Sequence, residues 1–310
     1  MLTVKKGRRR KYIDYLQNCL LACIPVVGFL LFTLIPMFLS GYMSFLDLKS
    51  PLLDEGSWIG FANYHTILFG EHAARFYRSF LNVFIFWLNV PLSMMLGIGI
   101  SYILNTDVKG KKFFRLVYFI PYVCSLVAVV LMFQMMYETN YGIFNTVLRD
   151  LGIEKIGWIT TPQTFMWSAM FMQTWKNVGF CVILFSAAMA NVDVNLYEAC
   201  YLDGGSAGTA FRKITLPAIS PITYYLLTVC TIGALQTMGE VQVLAAVTGN
   251  NALDGAHLTP VLLIYDMAFT FPNRYGFGIS AAASWILVFF ILILTRISAV
   301  LSKRWVHYEF

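Results

Sequence analysis

Gln173, Trp175, Lys176 and Asn177 stand together inside an otherwise apolar run. Counting inward from Phe165 at about 1.5 Å per residue puts Lys176 about 16 Å along a helix, near mid-bilayer if the run spans a membrane. A cation there costs about 2.5–3.5 kcal/mol and is usually functional. Gln173, Lys176, Asn177 and Phe180 share one helical face at i, i+3, i+4 and i+7. A hydrated face with an aromatic edge suits sugar hydroxyls. Two simpler readings compete: Lys176 pairs with an acid on a partner helix, or a shifted span lets it snorkel outward. Asn82, Phe86, Asn89 and Ser93 form a second polar stripe, and Thr228, Gln236 and Glu240 a third. Each alone could be an interhelical hydrogen-bond seam; three in one bundle favour a polar lumen.

Other chemistry is thinly represented. No G-x-x-x-x-G-K-[ST] loop occurs, so the chain lacks the backbone cradle and lysine of an ATPase of that type. His65, His72, His257 and His307 are scattered without metal-ligand spacing, and no Ser/His/Asp arrangement stands out. Cys19, Cys23, Cys124, Cys181, Cys200 and Cys230 fall in or beside apolar runs and read as small apolar residues. The expectation is a protein that is not an enzyme by itself and holds no metal or cofactor. Aromatic residues make up 16% of the chain, too many for a sugar-stacking site to be read from their number.

The elements that must carry these stripes are membrane helices. Of 310 residues 58% are hydrophobic and only 12% charged, against roughly 25% charged in soluble domains. Six apolar spans are expected, near Leu20–Met43, Phe80–Leu104, Phe113–Met136, Phe165–Ala190, Pro217–Glu240 and Phe277–Ser298, each reaching the roughly 20 residues a crossing needs. The first is expected to bend at Pro25 or Pro36. The basic opening, KKGRRRKYIDY, precedes an apolar run too long for a signal-peptide core, so it reads as a retained first helix. With the N-terminus inside, fifteen Lys and Arg fall on inner segments and six on outer ones. That bias predicts two cytoplasmic termini. The net charge of +6 sits at span ends and is no nucleic-acid signal. The fold class expected is an all-α membrane protein, one transmembrane domain over residues 1–310.

One long segment is not greasy: Tyr197–Pro221, YEACYLDGGSAGTAFRKITLPAISP. The same charge count puts it on the cytoplasmic side. Asn195 and Glu198 have capping-box spacing. Asp203-Gly204-Gly205 then ends the helix, and Ser206 caps a second short one running to about Ile214. Pro217 suits the first turn of the next long helix. A helix–glycine–helix clamped between two membrane spans reads as a docking surface, offering Leu196, Tyr197, Ala199, Cys200 and Leu202 to a groove.

The order Glu198-Ala199-Cys200, three residues, Gly204, nine residues, Ile214, one residue, Leu216-Pro217 resembles the EAA loop of ABC importer permeases. Asp203 before the glycine and Phe211 before Ile-x-Leu-Pro make it similar to the carbohydrate-uptake branch. Cys200 and Gly205 depart from the usual alanines but stay small. Trp58–Tyr64, Gly142 with Asn145 and Leu148, and Arg115 with Tyr118–Pro121 resemble other family stretches. The outer loop 241–275 departs, with Met238-Gly239-Glu240 and Thr248-Gly249-Asn250-Asn251 where the family often has Phe-Asp and T-x-G-G-P.

Over about Leu20–Val300 the resemblance implies a type I ABC importer permease fold with a cytoplasmic coupling loop at 191–216. It implies that Tyr197, Glu198, Ala199, Cys200, Asp203, Gly204, Phe211, Leu216 and Pro217 couple the chain to separate ATPase subunits, which hold ATP and Mg. Gln173, Trp175, Lys176, Asn177, Asn82, Asn89, Gln236 and Glu240 would line the substrate pathway. Further expected partners are a second, related permease and an extracellular solute-binding protein, in a bacterial or archaeal plasma membrane, with an oligosaccharide as substrate. Two alternatives stay open: an ABC permease for glycerol phosphate or a related polyol ester, and a secondary transporter without an ATPase. The latter often shows inverted repeats, and none is visible here.

Overall fold

The computed structural model describes residues 3–50, 52, 56–106, 108–246, 253–272 and 275–307, and the side chains of these except residues 3–14 and 16. Thr248-Gly249-Asn250-Asn251 of the divergent loop lies outside them. Among the described residues, three helices are long and apolar enough to cross a membrane, or up to six if each bent pair counts as one span. The chain divides into two units, one of residues 1–70 and 267–285, the other of residues 71–266 and 286–310.

The first unit opens with α1 (Thr3–Phe29), a π turn (Leu30–Leu34) and α2 (Ile35–Met43). Leu21, Ile24, Phe32 and Phe38 are exposed, as side chains facing lipid are. A short hairpin follows, β1 (Leu46–Asp47) antiparallel to β2 (Ser57–Trp58) with Leu46 opposite Trp58, then α3 (Ala62–Leu68). The hairpin is the one strand pair among the described residues of an otherwise helical chain. Buried Asn63 donates to the carbonyls of Ser44 (2.9 Å) and Leu46 (2.8 Å), and Tyr64 shares a hydrogen bond with Ser44. The Trp58–Tyr64 stretch therefore pins the hairpin to the end of α2.

The second unit holds α4 (Ala73–Trp87), α5 (Asn89–Leu104), α6 (Lys111–Val123), α7 (Leu126–Tyr137), α8 (Ile143–Asp150), α9 (Pro162–Ala190), α10 (Val194–Leu202), α11 (Ala207–Ala210), α12 (Leu216–Ala218), α13 (Ser220–Leu235), α14 (Gly239–Ala246) and α15 (Pro260–Tyr265). The last helix, α16 (Phe277–Ser302), contributes residues 286–302 to it. Its core is built by Phe86, Phe133, Tyr137, Phe165, Met172, Phe185, Leu226 and Leu244, all buried. The centre of this packing is α9, which lies against α5 and α6. Side-chain-free positions set that approach: a Cβ on Gly97 would stand 2.5 Å from the Cβ of Cys181, and one on Gly179 would overlap the Tyr118 carbonyl. The 138–158 loop closes over Asn145, which donates to the carbonyls of Thr139 (3.1 Å) and Ile156 (2.9 Å) and accepts from Trp158 Nε1 (3.1 Å).

Two expected spans are not continuous. Phe113–Met136 breaks into α6 and α7 at a 95° bend, because Cys124 and Ser125 adopt extended backbone (ψ 148° and 134°) just past Pro121. Pro217–Glu240 also fails as one helix. Pro217 lies in the short α12, a 60° bend follows, and the long α13 begins at Ser220 with Pro221 in its first turn. Glu240 belongs to α14, beyond a break at 236–238.

Prolines also explain the widened turns. Among the described residues the π turns are Leu30–Leu34, Phe211–Thr215 and Asp266–Thr270, and each is followed two residues later by a proline: Pro36, Pro217 and Pro272. A proline ring clashes with the carbonyl four residues back. Opening the preceding turn moves that carbonyl aside. Ile35 N–H then reaches back to Leu30 O and Leu216 N–H to Phe211 O.

Candidate functional site

The helix after α9 starts on a side-chain cap. Asp193 accepts a hydrogen bond from Asn195 N (3.0 Å), so the cap of α10 is Asp193 and the expected Asn195–Glu198 box does not form. Capping by Asp193 starts α10 at Val194, which puts Asn195 inside the helix. Glu198 is left exposed, with no partner among the described residues. The helix ends in a Schellman turn: Gly205 N donates to Cys200 O (2.8 Å) and Gly204 N to Tyr201 O (3.1 Å). Gly204 sits at φ +79°, which a residue with a Cβ adopts only at a cost. A Cβ on Gly205 would meet Cys200 Sγ at 2.5 Å and its carbonyl at 2.7 Å. The two departures from the family pattern are thus one packing pair. Ser206 accepts from Thr209 N (3.3 Å) and caps α11 as the sequence predicts.

Three contacts stiffen this elbow. Tyr197 Oη and Thr215 Oγ1 share a hydrogen bond at 2.9 Å, joining α10 to the π turn. Phe211 packs edge-on against Tyr102 at 4.8 Å, joining the turn to α5. Ala210, Ile214 and Thr215 are buried beneath it. On α10 and its C-cap, Val194, Asn195, Leu196, Glu198, Ala199, Tyr201, Leu202 and Asp203 are exposed, Leu202 at 88%, and Arg212 and Lys213 of the π turn are exposed as well. Tyr197 and Cys200 are half-buried and face the elbow, not the outside. Val194 and Tyr201 join the surface although the sequence reading did not single them out. The elbow leaves α9 through residues 191–193 at a 70° bend.

The second cluster lies in the middle of α9. Gln173 Nε2 donates to Asn177 Oδ1 (3.2 Å), Asn177 Nδ2 donates to Asn89 Oδ1 (3.1 Å), and Asn89 Nδ2 donates to Phe86 O (2.5 Å). These amides form one directional chain from α9 into the α4–α5 junction. Its free end is Gln173 Oε1, buried and without a partner. Lys176 is half-buried beside it, and no carboxylate among the described residues lies within 4.0 Å of its ammonium. Trp175 stands edge-on to Phe133 at 5.4 Å, and Phe180 stacks on Tyr122 at 4.7 Å.

The remaining pathway residues separate from this cluster. Asn82 holds a loop, donating to the carbonyls of Gly255 (3.0 Å) and Leu258 (2.9 Å). Ser93 bonds to Val90 O in its own helix, and Ser101 bonds across to Val182 O. The stripe on α4 and α5 is therefore an interhelical seam around Asn89, with Asn82 outside it. Gln236 is exposed at the end of α13. Glu240 accepts from Thr237 Oγ1 (2.9 Å), and Thr259 in turn bonds Thr237 O (2.7 Å). Gln236 and Glu240 thus flank a helix break, a position that apolar periodicity does not reveal.

Residues 67–307 match the family described as binding-protein-dependent transport system inner membrane component. The chain is 31% identical over 287 residues to the probable ABC transporter permease protein YesP of Bacillus subtilis, covering 92% of this chain and 89% of that one. It is 29% identical over 294 residues to the trehalose/maltose transport system permease protein MalF of Thermococcus litoralis, covering 95% and 94%. Among solved structures, a chain of a bacterial ABC transporter involved in the import of the acidic polysaccharide alginate is similar in fold. Its TM-score is 0.78 at 24% identity, over 95% of this chain and 99% of that one. The resemblance carried by Glu198–Pro217 and the match over most of the sequence agree, and the chain belongs to the binding-protein-dependent transport system inner membrane component family.

Proposed function

We propose that the chain is the membrane-spanning permease subunit of an ATP-driven importer for oligosaccharides. The observation that carries this is the elbow of α10 and α11. It is capped by Asp193 and Ser206, stopped by Gly204, and exposes apolar side chains and a free Glu198 at the end of α9. A surface of that kind docks into a cleft of another chain. Closure of two ATPase subunits, driven by their ATP and Mg, would push the elbow and tilt α9. A second, related permease completes the pathway, and an extracellular solute-binding protein delivers the sugar. The names of relatives that carry trehalose/maltose, arabinooligosaccharides and lactose support a saccharide substrate. Six crossings with both termini cytoplasmic, in a bacterial or archaeal plasma membrane, put the elbow on the ATPase side. Residues 1–310 act as one permease domain with its coupling loop at 191–216.

The test is Glu198→Lys in the reconstituted complex. Sugar-stimulated ATP hydrolysis and uptake should fall together, while the loaded binding protein still docks from outside. Unchanged stimulation and uptake would refute the coupling role.

A further inference from the structure

Lys176 occupies the centre of α9, a helix of 29 residues. At about 1.5 Å per residue, each helix end is about 21 Å away, whereas half the hydrocarbon thickness is about 15 Å. With α9 centred on the bilayer, its stem is too short to carry the ammonium to either interface. A mid-membrane cation then needs a counter-charge or water. Within the described residues it has neither a carboxylate within 4.0 Å nor a hydrogen-bond acceptor. Glu240, the acidic residue of α14, is bonded to Thr237.

The amide chain adds an independent constraint. Phe86 O receives from Asn89, Asn89 from Asn177, and Asn177 from Gln173. One N–H of each amide is therefore committed inward, and each carbonyl but the last accepts. The outward end is an acceptor, Gln173 Oε1, buried and unpaired. One helical turn thus offers a fixed acceptor and, three residues on, an uncompensated cation. The acceptor fits a hydroxyl; the cation fits a carboxylate. A neutral sugar satisfies only the first. We propose that this site selects acidic oligosaccharides, with a uronate carboxylate on Lys176 Nζ and a ring hydroxyl donating to Gln173 Oε1. This rests on the oligosaccharide reading above and narrows its substrate class.

The test uses the complete importer with its binding protein in proteoliposomes. The probes are digests of polygalacturonate and of alginate, and the same digests with their carboxyls reduced to alcohols. Wild type should take up the acidic probe in preference to the reduced one. Lys176→Gln should lower that preference by roughly 10-fold or more, the factor a charged hydrogen bond supplies, with complex assembly retained. Lys176→Arg should keep it. An unchanged preference in Lys176→Gln would overturn the proposal. So would loss of assembly in that variant, which would assign the counter-charge to a residue of the partner permease. Uptake of reduced probes alone by wild type would overturn the acidic class and leave the oligosaccharide reading standing; uptake of neither would overturn both.

Discussion

Leu202 is the most exposed apolar residue of the elbow, at 88%. If the elbow inserts into an ATPase cleft, that exposed side chain becomes buried. Full burial of a leucine is worth about 1.5–3 kcal/mol. Scaled by the 88% still open to water, docking gains about 1.3–2.6 kcal/mol from this one side chain. At about 1.4 kcal/mol per tenfold in Kd, Leu202→Ala should weaken ATPase binding about 10- to 80-fold. The variant should leave the isolated permease as stable as wild type, because an exposed side chain contributes little to its folding. The assay is titration of purified ATPase subunit onto permease in nanodiscs, with Tm of the permease measured alongside. Equal Kd values for Leu202→Ala and wild type would refute the docking geometry. A fall in Tm of several degrees without ATPase present would show that Leu202 packs within the chain, which its exposure denies.

Two other outcomes follow from the geometry. Gly179→Ala drives a methyl into the Tyr118 carbonyl, a backbone atom that cannot swing away. It should destabilise the permease by about 1–3 kcal/mol, read as a lower Tm, whereas Gly233→Ala, inside α13 with open space around it, should not lower Tm. Glu138 accepts from the backbone N–H groups of Tyr141 and Asn140, both at 2.6 Å, and the Tyr141 bond foremost holds its carboxyl below the ordinary value of 4.5. A depressed folded value gives stabilisation that is complete above 4.5 and lost as pH falls through the lower value. Limited proteolysis of the 138–158 loop should therefore accelerate only in acid, and Glu138→Gln should remove that pH dependence.

The apolar runs made the helices legible, and the ends of α9 and α16 fall within a few residues of expectation. Helix ends and breaks were harder, because they depend on local hydrogen bonds. Asn195 and Glu198 had the spacing of a capping box, but Asp193, two residues earlier, took the cap. The break at Cys124–Ser125 left only Pro121, three residues before it, and the polar Ser125 as signs. The π turns left a regular sign: a proline two residues beyond each. Gln173, Lys176 and Asn177 were recognisable from helical spacing. That Asn177 binds Asn89 while Asn82 binds a distant loop was not, since pairing between helices depends on tertiary packing.

The polarity that makes α9 useful also bears on how the chain is made. On composition alone α9 is not among the three helices apolar enough to cross a membrane singly. During synthesis it follows α4 and α5, which together form one of those three. In the folded chain Asn89, Gly97 and Ser101 of α5 meet Asn177, Cys181 and the Val182 carbonyl of α9. If the segments insert in chain order, the seam between α5 and α9 would give the more polar helix a partner inside the bilayer.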